Sequence, residues 1–321
     1  MCKKPGLALV FLVFFLITCK KNIEPEEINN QVISGQQIFL IVERVISGPI
    51  LNVALSEPFG LAESRDGSIF VVDRGSSRVI RFNADLVPEK QIGGFGLGTE
   101  TFNRPTFVTV DNSLNIYVAD ENNRRVARFD ARLNFVDDIK FADEEDPFKF
   151  GYPSGIGVTS YGEVWIGDRE KNTLCLFNNV GRFDRFLGEF GSPEGQLSRP
   201  EKIVSETGGK FYVCDAGHSR IVIYDEFGNY SRKLELREIE YPISVAIEKD
   251  ALWILDGASS RIHYADKDGR NLQQFGPILP GDQTAMKEPS DMILLRDGRL
   301  LISDSGNRRL LTCRIERGEE K

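Results

Sequence analysis

The sequence predicts an all-β fold, a six-bladed β-propeller of four-stranded blades, from three observations. One phrase of alternating apolar residues returns six times: "GSIFVVDRGSSRVIRF" (67–82), "LNIYVADENNRRVARF" (114–129), "GEVWIGDREKNTLCLF" (162–177), "GKFYVCDAGHSRIVIY" (209–224), "DALWILDGASSRIHYA" (250–265) and "GRLLISDSGNRRLLTC" (298–313). Its aspartates, Asp73, Asp120, Asp168, Asp215, Asp256 and Asp304, are spaced 47, 48, 47, 41 and 48 residues apart. A proline stands fourteen or fifteen residues before each: Pro58, Pro105, Pro153, Pro200, Pro242 and Pro289. Short alternating strands at a period of about 40–50 residues are the signature of propeller blades. No single blade can bury both faces, so the blades stack and close a ring.

The chain begins with "MCKKPGLALVFLVFFLITC". A basic start and an apolar run from Leu7 to Ile17, too short to span a bilayer comfortably, predict a signal peptide over 1–18. "LITC" resembles a bacterial lipobox, which would make Cys19 the lipidated first residue of the mature chain; an uncleaved anchor is the alternative. The polar segment 19–36 is then a lipid-bearing cysteine and flexible tether, 37–315 the propeller and 316–321 a polar tail. The expected location is the cell envelope, lipid-anchored and outside the cytoplasm.

In the first blade the pattern predicts strands at about 58–64, 68–73, 77–83 and 88–94. Each first strand opens at the proline, which cannot donate to a ladder. Asp66-Gly67 and Asp297-Gly298 mark first hairpins. The last blade lacks one strand, and "QIFLIVERVI" (37–46) precedes the first blade. That segment is predicted to complete the last blade and so remove exposed edges.

"PFGLAESRDGSIFVVDRGSSRVIRF" and "PSDMILLRDGRLLISDSGNRRLL" resemble the NHL repeat. The resemblance runs over about 57–315 and, with the lipobox, is similar to bacterial propeller lipoproteins. It implies a six-bladed ring; blade 3 departs from its pattern.

Five residues after each aspartate stand Arg78, Arg125, Arg220, Arg261 and Arg309, with Thr173 as the exception. A feature present in nearly every unit serves the blade, not an asymmetric site. Each Asp is expected to accept from the backbone of its tight turn. Each Arg is expected to neutralise it and bridge to the next blade.

Candidate ligand-binding residues are departures from the repeat on the interblade-loop face, where connections are long: 93–104, 141–152, 191–199 and 275–288. Two residues after the proline the series runs Gly60, Phe107, Gly155, Lys202, Ser244, Asp291, of which Lys202 and Asp291 stand out. In the turns, Arg74, Glu121, Arg169 and His218 are equally individual, and Phe95, Phe102 and Phe148 could add apolar surface.

The formal charge of −8 becomes −10 once Lys3 and Lys4 leave with the signal peptide, since 38 basic then face 48 acidic residues. Such a surface repels phosphate backbones, so no nucleic-acid partner is expected. Cys175, Cys214 and Cys313 lie in apolar strands and read as buried thiols, a Cys175–Cys214 bridge being the alternative. Trp165 and Trp253 read as core.

Propellers similar to this one include enzymes. Amidating-lyase-like proteins bind a metal with several histidines, whereas this chain has two, His218 and His263. Gluconolactonase-like proteins hold a divalent ion in the channel, for which Asp291 and Glu201 are the nearest oxygen ligands. No catalytic residue and no cofactor is expected, although a channel calcium or zinc ion stays open. The favoured reading is a binding or protein-interaction scaffold for an envelope protein or small ligand, acting through the interblade-loop face. The alternatives are a metal-dependent propeller enzyme (lactonase-like or amidating-lyase-like) with its site at the channel mouth, or a sensor of envelope ligands or glycans.

Overall fold

The computed structural model describes residues 38–140, 151–188, 195–270, 272–275 and 285–318. The predicted signal peptide, Cys19, the tether and Phe148 lie outside them. Among the described residues no helix is long and apolar enough to cross a membrane.

Six four-stranded antiparallel sheets follow one another in the order the repeat requires. Blade 1 consists of Pro58–Glu63, Ile69–Asp73, Arg78–Phe82 and Pro88–Gly93. The second to fifth blades open at Pro105, Pro153, Pro200 and Pro242 and repeat this meander. In blade 6, Pro289–Leu294, Leu300–Asp304 and Arg309–Arg317 are completed by Ile38–Ser47. That N-terminal strand runs antiparallel to the last, from Ile38 opposite Arg317 to Ser47 opposite Arg309, with a bulge between Val42 and Arg44. The closure expected from the sequence is therefore formed.

The second and third strands of each blade are nearly continuous apolar runs because both their faces meet neighbouring blades. Six apolar clusters fill the spaces between blades. Trp165 and Trp253 are wholly buried, Trp165 stacking on Phe211 with ring centroids 4.2 Å apart. Cys175, Cys214 and Cys313 are free and buried, so no bridge joins Cys175 to Cys214. Burial pushes the Cys214 thiol up, out of reach of thiolate chemistry.

Each first strand is bulged just after its proline, where pairing to the second strand shifts register in every blade. A bulge re-aims the side chains it releases. The interblade loops and the second-to-third-strand turns share what we call the upper face. The first-to-second and third-to-fourth turns form the lower face. The residue just before each third strand (Ser77, Arg124, Asn172, Ser219, Ser260 and Arg308) has φ between 49° and 58°, a left-handed corner that recurs in every blade.

Candidate functional site

At the axis, the residue two positions after the proline alternates small and large. A Cβ on Gly60 would lie 2.7 Å from the Phe107 Cα, and one on Gly155 would lie 2.1 Å from the Glu201 carbonyl oxygen. These glycines let adjacent first strands close up while Phe107, Lys202 and Asp291 take the axial space. Lys202 of blade 4 reaches Asp291 of blade 6: Nζ donates to Oδ1 at 2.5 Å and to the Met292 carbonyl at 2.9 Å. Ser244 of the intervening blade donates to the same Oδ1 at 2.7 Å, and the backbone N–H of Leu61 donates to Oδ2 at 2.8 Å. Asp291 is fully buried and Lys202 is 8% exposed. The two most conspicuous sequence candidates thus meet as a buried ion pair that bars the axis.

Above it the charged candidates are paired. Arg169 bonds Glu201, with Nε 3.1 Å from Oε2, and lies 3.7 Å from Glu121. Glu121 also receives Arg104 at 3.1 Å, and Tyr241 donates to Glu201 at 3.3 Å. Burial pulls the Arg169 guanidinium's pKa down, but Glu201 and Glu121 outweigh it and hold it above its ordinary value. Burial, then Glu201, pushes the Tyr241 hydroxyl up to about 12. Arg74 pairs with Glu57 and lies over the Phe59 ring at 3.9 Å. Phe59 packs edge-on against Phe107, with centroids 5.6 Å apart.

His218 does not join this group. Its Nδ1 lies 3.0 Å from Asp215 Oδ2, at the offset where Asn123, Ser259 and Asn307 donate to their own blades' aspartates. It belongs to the blade's corner. Of the three phenylalanines considered for the face, Phe102 is fully buried in the core, whereas Phe95 is 80% exposed beside Leu97 at 81%.

The corners themselves differ from expectation in three ways. Each aspartate reaches mainly to the backbone just before its own blade's first strand, as when Asp73 accepts from Ser56 and Glu57, and Asp304 from Lys287. Turn N–H groups join only at Asp168, from Glu170 and Lys171, and at Asp256, from Ala258. Arg78, Arg125 and Arg220 clamp the incoming interblade loop, not the next blade. Arg78 bonds Asp73 at 3.0 Å and donates to the carbonyls of Ile50, Val53 and Ala54; Arg125 does the same for Asp120, Gly98 and Thr101. Arg220 and Arg309 pair with Asp215 and Asp304. Arg261 is exposed and bonds Gln274 instead of Asp256. The incoming connection of blade 5 is the short one, so the carbonyls gripped elsewhere are missing there. Bridging between blades falls to arginines the sequence did not mark, on the lower face: Arg44, Arg81, Arg185 and Arg232 donate to carbonyls of Asp85, Ala131, Phe227 and Lys267.

The channel carboxylates do not fit a divalent ion. Asp291 already receives an ammonium, a hydroxyl and backbone N–H groups, and Glu201 receives a guanidinium and a phenol. Among the described residues no group of three or more His, Cys, Asp or Glu side chains is placed to hold a metal. His263 is fully buried with no partner for either ring nitrogen, and burial lowers it to about 4.

Below the ion pair the axis is open. A cavity of about 470 Å³ runs from Lys202 and Phe107 down to Glu63, Thr207 and Arg296 at the lower face. A second hollow, about 480 Å³, lies among the lower turns of blades 2 to 4. The sequence had directed attention to the opposite face.

A closed ring of six meandering blades, pinned by Asp–Arg corners, defines a β-propeller of the repeat type. The NHL-repeat family profile matches residues 102–129, which enter and form most of blade 2. With six four-stranded blades in a ring and the Asp–Arg pair built in blades 1, 2, 4 and 6, the chain is a six-bladed β-propeller that carries the NHL repeat. It is 26% identical over 131 residues to Protein brain tumor of Drosophila melanogaster, covering 40% of this chain and 13% of that protein. It is 31% identical over 140 residues to a "Probable peptidyl-alpha-hydroxyglycine alpha-amidating lyase" of Caenorhabditis elegans, covering 40% and 39%. The match therefore spans well under half the length of either relative. Among solved structures, a gluconolactonase from Xanthomonas campestris superposes with a TM-score of 0.63 over 92% of this chain and 99% of its own, at 13% identity. That likeness is one of fold.

Proposed function

We infer that this propeller is a non-catalytic scaffold, exported and lipid-anchored through Cys19, that docks an envelope protein on its upper face. One observation carries this reading. Phe95 and Leu97 stand 80% and 81% exposed at the tip of the first interblade loop, while the charged groups around the axis are satisfied by one another. Rigid blades presenting an apolar tip beside a polar, internally paired rim have the make-up of a recognition surface. The amidating-lyase relative supports the competing enzymatic reading, but the two histidines are committed to a corner and to the core.

Crosslinking in the native host distinguishes them. Wild type and a Phe95→Ser/Leu97→Ser variant should both fractionate with the membrane and melt alike. Wild type should capture a defined protein that the variant loses at least tenfold. Equal capture by both proteins would refute docking at this tip, and recovery in the soluble fraction would refute the anchor.

A further inference from the structure

We propose that the lower face of the ring lies against the membrane, with Val180, Tyr161 and Phe227 set into the lipid headgroup layer. This rests on the Cys19 anchor and specifies how the anchored ring is oriented, with its upper face turned outward to its protein partner.

Two separate placements meet on this face. The first is the point where the anchored segment enters the ring. The third strand of each blade runs from the upper turn to the lower face, and Ile38 pairs with Arg317 at the lower end of the third strand of blade 6. The chain from Cys19 therefore joins the propeller from below. Residues 20–37 separate Cys19 from Ile38, a reach of at most about 65 Å when fully extended. An anchor at Cys19 thus keeps the lower face close to the bilayer, at a high effective concentration for any surface contact.

The second is an apolar patch on the other side of the ring. Val180 and Phe227 sit in the third-to-fourth turns of blades 3 and 4, and Tyr161 in the first-to-second turn of blade 3. They are 70%, 63% and 48% exposed. The three turns abut: Tyr161 Oη donates to the Glu226 carbonyl at 2.6 Å, and a Cβ on Gly162 would lie 3.4 Å from the Asn179 Cβ. Arg185 fixes the Phe227 turn through its carbonyl at 2.7 Å. Contiguous apolar tips on a polar face mark an interaction site, unlike scattered single ones. Arg182, in the Val180 turn, and Lys210, next to the Gly209 that lies against Glu226, are exposed and carry no ion pair among the described residues. Asp225 spends its carboxylate on Phe227 and Asn229 N–H groups, leaving Glu226 as the acid opposite them. Aromatic rings with long basic side chains suit the headgroup layer, where stems lie along apolar surface and charged heads meet phosphates. Blades 3 and 4 stand across the ring from blades 6 and 1, so anchor and patch together hold the face flat.

The test uses the whole chain, expressed in its host and reconstituted in phosphatidylethanolamine and phosphatidylglycerol vesicles whose acyl chains carry bromine. Phe227→Trp reports on the patch and Phe95→Trp on the upper face, with the signal of the buried Trp165 and Trp253 subtracted from wild type. Emission from Phe227→Trp should shift to the blue on reconstitution and be quenched by bromine at least twofold more than that from Phe95→Trp. Val180→Trp serves the same purpose if Phe227→Trp fails to fold. Membrane-bound protein in which the patch tryptophan is quenched no more than the one at position 95 would overturn the docking while leaving the anchor intact. Recovery of the chain in the soluble fraction would overturn the anchor, and the orientation with it.

Discussion

His263 shows what a single polar residue does when a blade closes over it. Its imidazole is wholly buried between strands with both nitrogens unpartnered, and burial holds it at about 4 against an ordinary 6.5. Since the folded value lies below the unfolded one, the unfolded chain takes up this proton first as pH falls. Stability from this residue is therefore complete above about pH 6.5 and is lost progressively toward pH 4, by roughly 2–3 kcal/mol. Urea denaturation should find His263→Leu more stable than wild type at pH 7, with the gap wider by about 2 kcal/mol at pH 4.5. An unchanged gap would show that the imidazole is hydrated in the folded protein. The burial of His263 was legible from its place in an alternating strand. The partnership of Lys202 with Asp291 was not, because it joins blades two apart and depends on a bulge that turns both side chains to the axis.

The blade corner is the element that repeats, and here the sequence revealed the participants but not their direction. Aspartate and arginine recur because one carboxylate must secure the start of a first strand while one guanidinium grips the loop that delivers it. Which loop is gripped depends on loop path, which carries no periodic signal. The exception proves informative: the 41-residue spacing to Asp256 leaves Arg261 nothing to clamp, and it lies exposed. Blade 3 manages without an arginine because four backbone N–H groups converge on Asp168. Equilibrium denaturation should therefore separate two formally equivalent substitutions. Arg78→Ala strands a fully buried carboxylate and should cost about 3–5 kcal/mol, whereas Arg261→Ala should change stability by less than about 0.5 kcal/mol. Equal losses would mean that the corner is not held by its ion pair.

On the scale of the molecule, six sheets become a ring only when Ile38–Ser47 pairs with Arg309–Arg317. This closure was legible because the last unit is one strand short and an orphan apolar strand precedes the first. The open face was not, because the axial cavity is set by how six small and large residues taper together. Ile38 and Leu40 are buried in the cluster shared by blades 5 and 6. Leu40→Asp should lower stability by about 3–5 kcal/mol, and hydrogen exchange should quicken first in blade 6. Uniformly faster exchange through all blades would show instead that the ring opens as one unit.

The pairing of the two ends also dictates a timetable. Ile38–Ser47 must wait, partnerless, until Arg309–Arg317 has emerged from the ribosome, so the circle stays open while the intervening blades are made. Contacts this remote in sequence form slowly, and until they do, blades 1 to 5 remain an unclosed arc. Arg309–Arg317 thus acts as a latch on the blades made before it.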